Sequence, residues 1–370
     1  MKKYIALFGI ALSFTFFFGC AIKNSDSVKD TVTPSNTTAS ITTPTTDTAT
    51  TSTPVAEVLQ IQDYFPIKEN TRYVYEGKGN EYASFDVYID YASAGKIQQR
   101  VDNGGTVLAK VVELKDGKIT RLFSREEAYY RENLLAMKDD KEEILLMEPL
   151  EKGTTWTLKD SSVRTITNTS VDVTTPAGSY KAIEVTTESP DGKTVDYYAK
   201  DVGLIKSVFA SGDNEVSSSL SKIEENASLL QKINFYYPNI NDNKINYESK
   251  DISFKTNDIT KQALEKAYKE VVNSNIGKVF TTNTKINSLY LNKDKMVYID
   301  LNKAFLSEMN AGALYEKMIL QSVANTFGHY YNSEKVVLTL DSGFYESGHI
   351  ALGKGEYIKV DYANTAEIKK

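Results

Sequence analysis

Cysteine is almost missing from this chain of 370 residues, which has one, Cys20. A single thiol excludes an intramolecular disulfide framework and any multi-cysteine zinc site. Histidine is nearly as scarce: His329 and His349 are the only two, too little imidazole for a histidine-rich metal centre. Basic charge is not in excess either. Forty-three Lys and Arg stand against 49 Asp and Glu, for a formal charge of −6. A nucleic-acid binder normally presents a strongly basic face, so no nucleic-acid partner is expected. Gly77-Lys-Gly79 lacks the rest of any phosphate-binding fingerprint, and no cofactor is expected. The length corresponds to roughly two to three domains.

The one long uncharged apolar run is at the start. Residues 4–18 follow Lys2 and Lys3. The run falls short of the ~20 apolar residues that a membrane span needs, and it fits the core of a secretory leader over 1–19. Gly19-Cys20 comes next. A small residue before a lone cysteine, just after such a core, resembles a bacterial lipoprotein lipobox. Phe17 and Phe18 stand where a Leu and a small residue are usual. The resemblance implies cleavage before Cys20, a diacylglycerol thioether on its sulfur, palmitate-type acyl chains in the membrane and a body on the extracytoplasmic face. Loss of Lys2 and Lys3 with the leader would take the side-chain charge from −6 to −8. An acidic body gains no adhesion from an anionic membrane, so the anchor has to be the acyl chains, at about 0.8 kcal/mol per buried CH₂.

Residues 20–57 read as a tether. From Thr31 to Pro54, 15 of 24 residues are Ser or Thr, with prolines at 34, 44 and 54 and no aromatic residue. Such a segment cannot bury enough surface to offset its ordering entropy. Its roughly 34 mobile residues would reach about 30–35 Å on average and on the order of 110 Å when fully extended.

Residues 58–228 read as an antiparallel β-rich domain, an open barrel or a sandwich. Alternating or β-branched runs recur at 71–76, 84–91, 106–114, 163–174, 180–187 and 193–199. Glycine-bearing turn signals separate them: Gly77-Lys-Gly79, Asn103-Gly-Gly105, Asp116-Gly117, Pro176-Ala-Gly178 and Pro190-Asp-Gly192. Eight or more strands are expected. Residues 125–137 fit helix and strand equally. Tyrosine is frequent, and with the single Trp156 it would suit either an aromatic groove for a lipid, peptide or glycan or ordinary half-buried strand positions.

Over 229–362 the period changes. Residues 233–237 read as a strand, and Pro238 with the Asn/Asp run 239–243 as a turn. Ile259, Ala263, Leu264, Ala267 and Val271 form one helical stripe over 259–274, capped by Asn257 or Asp258. A hairpin spans 286–301, and a second helix over 312–328 turns Ile319, Leu320, Val323, Ala324 and Phe327 inward. A near-continuous apolar strand, 335–340, suits a central position. The order β-α-β-β-α-β predicts a two-layer α+β domain, followed by a short tail at 363–370.

Four segments in this region carry a resemblance: Asp300-Leu-Asn-Lys-Ala-Phe305, Leu320-Gln-Ser-Val-Ala-Asn-Thr-Phe327, Val336-Val-Leu-Thr-Leu-Asp-Ser-Gly343 and Tyr345-Glu-Ser-Gly-His-Ile350. In their order and spacing they resemble the GerMN domain of sporulation and germination proteins. The family usually has a Gly-Pro turn and then Pro-x-Gly after the first helix. Here the stretch is Asn275-Ile-Gly-Lys-Val-Phe-Thr-Thr-Asn283, and only Gly277 remains. The resemblance implies a non-enzymatic extracytoplasmic module similar to ring-building domains, an envelope protein partner, homo-oligomerisation through this domain, and a clostridial-type Gram-positive source.

No catalytic set emerges. Asp341, Ser342, Ser347 and His349 lie within nine residues, but Ser342-Gly343 reads as a turn after a strand rather than a strand–helix elbow. His329 sits at a helix end, where the dipole favours a cation. Residues 239–250 echo a calcium loop, but Lys244 and Lys250 occupy the positions that need Gly and Glu. Asp139-Asp140 and Glu142-Glu143 read as a solvated turn. The expectation is a lipid-anchored, non-enzymatic binding or scaffolding module. The alternative is a ligand-binding lipoprotein whose β domain holds an apolar or glycan ligand.

Overall fold

The computed structural model describes residues 58–239, 241–270, 276–363 and 365–368. The leader 1–19, Cys20 and the tether 20–57 therefore lie outside the described residues, as does Val271 of the helical stripe.

Twelve strands form one sheet. They are β1 (Arg72–Lys78), β2 (Phe85–Ser93), β3 (Lys96–Asp102), β4 (Val107–Lys115), β5 (Lys118–Arg125), β6 (Glu143–Met147), β7 (Thr155–Thr157), β8 (Val163–Thr175), β9 (Gly178–Ser189), β10 (Gly192–Ala199), β11 (Gly203–Ser211) and β12 (Asn214–Glu224). Two antiparallel meanders, β1 to β6 and β7 to β12, join where β1 pairs with β12. The turns use the residues that the backbone demands. Between β4 and β5, Asp116 and Gly117 both take positive φ, 51° and 67°, as a two-residue turn matched to strand twist does. Gly77 does not break β1. It pairs with Ser218 inside the strand, and a Cβ there would stand 2.2 Å from the Ala83 carbonyl carbon.

The sheet is not closed, because no ladder joins β6 to β7. Side chains span this seam instead. Trp156 Nε1 on β7 donates to the Ile144 carbonyl of β6 at 3.1 Å. Arg164 Nη1 on β8 donates to the same carbonyl at 2.7 Å.

Residues 126–142 form neither helix nor strand. They cover the outer face of the sheet, where Ala128 and Leu134 join Ala109, Val111 and Leu122 in a small core. Irregular backbone can be buried only if its polar groups find partners. Gln98 supplies two, donating to Glu132 O and accepting from Leu134 N. Arg100 donates to Ala128 O and Tyr130 O. A sheet buried on both faces also explains the run of five buried residues, Val87 to Tyr91, in β2.

The C-terminal part opens with a hairpin, β13 (Leu229–Asn239) and β14 (Lys244–Phe254). Pro238 was expected in a turn, but it lies within β13. That position is tolerable because β13 is the edge strand of its sheet. Strand β14 was not anticipated. Its core-facing parity carries Glu248 and Lys250 beside Ile252 and Phe254, and this polar pair masks the alternation. Helix α1 (Thr260–Lys269) buries Leu264 and Ala267, while Ile259 stays exposed. Neither expected residue caps it: Asp258 Oδ2 accepts from Lys255 N and Asn257 Oδ1 from Ala92 N.

Beyond α1 come β15 (Ile286–Leu291), β16 (Val297–Leu301), the short α2 (Ala304–Ser307), α3 (Ala313–Tyr331), β17 (Lys335–Leu340), β18 (Gly343–Phe344), β19 (Ile358–Lys359) and β20 (Ala366–Glu367). Strand β17 is interior, parallel to β16 and antiparallel to β18 and β19. All five expected inward residues of α3 are buried, but so are Glu316, Ser322, Asn325 and Thr326. The helix is enclosed on more than one face. Within 363–370, β20 pairs in parallel with β14.

Candidate functional site

The inner face of the twelve-stranded sheet encloses a partly open cavity of about 420 Å³. Strand alternation decides what lines it. Residues 97, 99 and 101 of β3, 108, 110 and 112 of β4, and 196 and 198 of β10 share the inward parity. Much of the wall is carbon: Val87, Ile89, Ile97, Val112 and Ile119. Tyr75 lines it as well. Its ring stacks on Phe85 at 4.5 Å and its hydroxyl donates to Leu204 O at 2.7 Å, so it presents its ring.

Five charged residues, Lys110, Arg121, Glu143, Arg164 and Asp196, also line the cavity. Glu143 bridges the seam, with one oxygen 2.8 Å from Arg164 Nη2 and the other 3.0 Å from Arg121 Nη2. Burial alone would raise the Glu143 pKa, but Arg164 and Arg121 outweigh it and hold the carboxyl below its ordinary value. Burial pushes the Lys110 ammonium down and the Asp196 carboxyl up, the latter partly offset by a hydrogen bond from Ser207. Burial also pushes the Tyr73 hydroxyl up to about 12. Glu143 is thus no part of a solvated turn, as its sequence neighbourhood had led us to expect. Asp139 is structural too, accepting from Ser124 N at 3.0 Å.

The aromatic groove is partly realised. Tyr64, Tyr73, Tyr75, Tyr82 and Tyr198 line the cavity. Trp156 does not; it belongs to the core behind it. Tyr88 and Tyr91 face the opposite way, toward the C-terminal part, donating or sharing hydrogen bonds with Phe254 O and Thr260 Oγ1.

That second contact region holds a fully buried ion network. Asp90 is the extra residue of a bulge in β2 and lies 3.0 Å from Arg100 and 3.6 Å from Arg131 Nε. The Arg131 guanidinium donates to Tyr91 Oη, Asp90 O, Lys255 O and Asp258 O. Its plane lies over the Tyr91 ring at 4.2 Å. One side chain thereby ties the sheet, the 126–142 segment and the start of α1 together.

The residues weighed for catalysis fall into structural places. Asp300 Oδ1 accepts from Thr339 Oγ1 and Ser342 N, and Asp341 Oδ2 accepts from Lys303 N at 3.3 Å. These bonds pin the turn after β17. His349 is exposed, and among the described residues no hydrogen bond joins it to Asp341 or Ser342. Ser347 Oγ serves its own loop, accepting from His349 N and Ile350 N. His329 packs against Tyr236 and Tyr362, and burial lowers its pKa. That desolvation runs against the cation-favouring effect of the helix dipole. At the calcium-loop lookalike, Asn241 N and Lys244 N donate to Asn239 Oδ1 and Asp242 Oδ1. No cluster of metal-binding side chains occurs among the described residues.

Residues 234–344 match the Germane family, described as sporulation and spore germination. The match covers Asp300 and the turn that it pins. Among solved structures, the chain is similar to a protein of Bacteroides fragilis described as exported and of YmcC-like fold. That similarity has 15% identity, 44% of this chain, 99% of the other and a TM-score of 0.29. The tandem GerMN domains of the sporulation protein GerM from Bacillus subtilis match at 19% identity, over 34% of this chain and 45% of theirs, with a TM-score of 0.27. A protein of Clostridium perfringens described as a lipoprotein matches at 18%, over 36% and 93%, with a TM-score of 0.22. No curated protein matches the chain. No helix among the described residues is long and apolar enough to cross a membrane.

Sequence reasoning missed both charge clusters. A usable signal existed for the first: Lys110 interrupts a run, Val107 to Val112, that is otherwise wholly apolar. Asp90 and Arg131 left none, since a bulge and an irregular segment bring them together.

Proposed function

We propose that this protein is an extracytoplasmic lipoprotein, anchored through acylated Cys20, that acts by binding rather than catalysis in sporulation, germination or envelope assembly of a Gram-positive bacterium. The match of residues 234–344 to a sporulation and germination family carries this reading. In it, the C-terminal part follows the two-layer plan of ring-building domains, docks an envelope partner and self-associates, while the tether 20–57 sets its distance from the membrane. Deleting the gene is expected to lower spore yield or slow germination. A deletion strain that sporulates and germinates normally would remove the assignment. Cys20→Ser is expected to shift the protein out of the detergent phase on partitioning, and unchanged partitioning would refute the anchor.

A second reading concerns the β part, and the 420 Å³ cavity favours it. The volume lies within the roughly 300–1,000 Å³ of small-molecule sites. Here the sheet holds a ligand while the C-terminal part docks.

A further inference from the structure

We infer that the cavity of the twelve-stranded sheet binds an amphiphile, its apolar tail against the carbon wall and its single anionic group, a carboxylate or phosphate, on Lys110. This rests on the second reading above, that the β part holds a ligand, and adds the ligand's chemistry.

The charges in the cavity are unevenly matched. Arg121 and Arg164 share Glu143, one on each carboxylate oxygen. Lys110 is the remaining cation of the cluster, and among the described residues no carboxylate lies within ion-pair distance of it. Glu143 and Asp196 are both near enough to be felt electrostatically, but neither makes an ion pair with it. A half-buried ammonium with no ion-pair partner is disfavoured, and an entering anion would relieve that cost. With Lys110 protonated, three cations against two carboxylates give the site a formal net positive charge, which selects an anion over a cation.

The remaining wall selects the body of the ligand. Ile89, Ile97, Val112 and Ile119 present only carbon. The Tyr75 hydroxyl is already committed to a backbone carbonyl, so Tyr75 offers a ring face rather than a hydrogen bond. An alkyl chain would find a continuous apolar surface along Ile89, Ile97, Val112 and Ile119, which pack in one cluster. An apolar wall and an ammonium without an ion-pair partner fit one molecule with a tail and an anionic head.

The test uses the full chain carrying Cys20→Ser, which removes the acylation site and keeps acyl chains out of the assay. Dodecanoate, dodecyl phosphate, dodecanol and dodecylamine are titrated by calorimetry, with the fluorescence of Trp156, the only tryptophan, as a second readout. At least one of the two anions is expected to bind about tenfold or more tightly than dodecanol, the scale of one charge-assisted hydrogen bond. The tighter of the two identifies the head group. Lys110→Met is expected to erase that advantage and leave dodecanol binding unchanged; Lys110→Gln replaces it if the first variant does not fold. If dodecanol or dodecylamine binds as well as the anions, or the advantage survives loss of Lys110, the anionic class is wrong while ligand holding stands. If none of the four binds, both fall.

Discussion

Arg131 has no exposed side-chain surface, and its guanidinium spends its donors on backbone carbonyls from two parts of the chain. Removing it would leave those carbonyls and the Asp90 charge short of partners. Loss of one member of a buried ion network costs about 3–5 kcal/mol, so Arg131→Ala should lower the unfolding free energy by that amount in urea titrations. Arg131→Lys should restore little, because a point charge cannot reproduce the planar fork. Asp196 makes a pH-dependent prediction. Its pKa is raised in the folded state, mainly by burial, so folding favours the protonated acid. The stability tied to that proton is complete below the unfolded value of about 3.9 and is lost as pH rises through the folded value. Asp196→Asn should therefore be more stable than the parent at pH 7, with the difference vanishing below about pH 4. Thermal melts across that range would read it.

Single elements show where local rules yield to their surroundings. Gly77 occupies a strand interior, where glycine normally weakens pairing, yet the backbone at Ala83 passes too close for any side chain. Gly77→Ala should cost about 1–3 kcal/mol through overpacking, seen as a lower urea midpoint with an unchanged slope. Strand β13 manages its free edge in a similar local way. Tyr236 N donates at 2.9 Å to Thr326 Oγ1 of α3, so a helix side chain replaces the missing neighbouring strand. In β2, the bulge at Asp90 turns one carboxylate out of the sheet and toward two arginines.

On the scale of the whole molecule, the β sheet and the C-terminal part within 57–370 form one compact unit. Their contact is more than the Arg131 network. Asn70 and Thr256 exchange two hydrogen bonds, Tyr88 Oη donates to Phe254 O at 3.1 Å, and Tyr130 packs on Tyr331 at 4.9 Å between ring centres. A shared buried interface couples unfolding, so calorimetry of the parent protein should show one transition for these residues. Arg131→Ala should split it into two, and a single sharp transition in that variant would show that the coupling resides elsewhere.

Read without its structure, the chain already determined which stretches pair as strands and where many of the turns fall. Alternation and glycine-bearing turn signals are local properties, legible at 84–91 and 106–114 as they are in β2 and β4. The same holds for the stripe of α3 and for strand 335–340, whose bounds agree with β17. Only the tertiary structure decided which charges go inside. Lys110, Glu143, Arg164 and Asp196 meet because the sheet curls until β4 faces β10 and β6 faces β8. Such curvature sums small twists over many strands, and no single window of sequence carries it. The 126–142 segment stays irregular for a related reason. Its polar backbone is satisfied by Gln98 and Arg100, about 30 residues earlier in the chain, and that long-range supply removes the local pressure to form helix or strand.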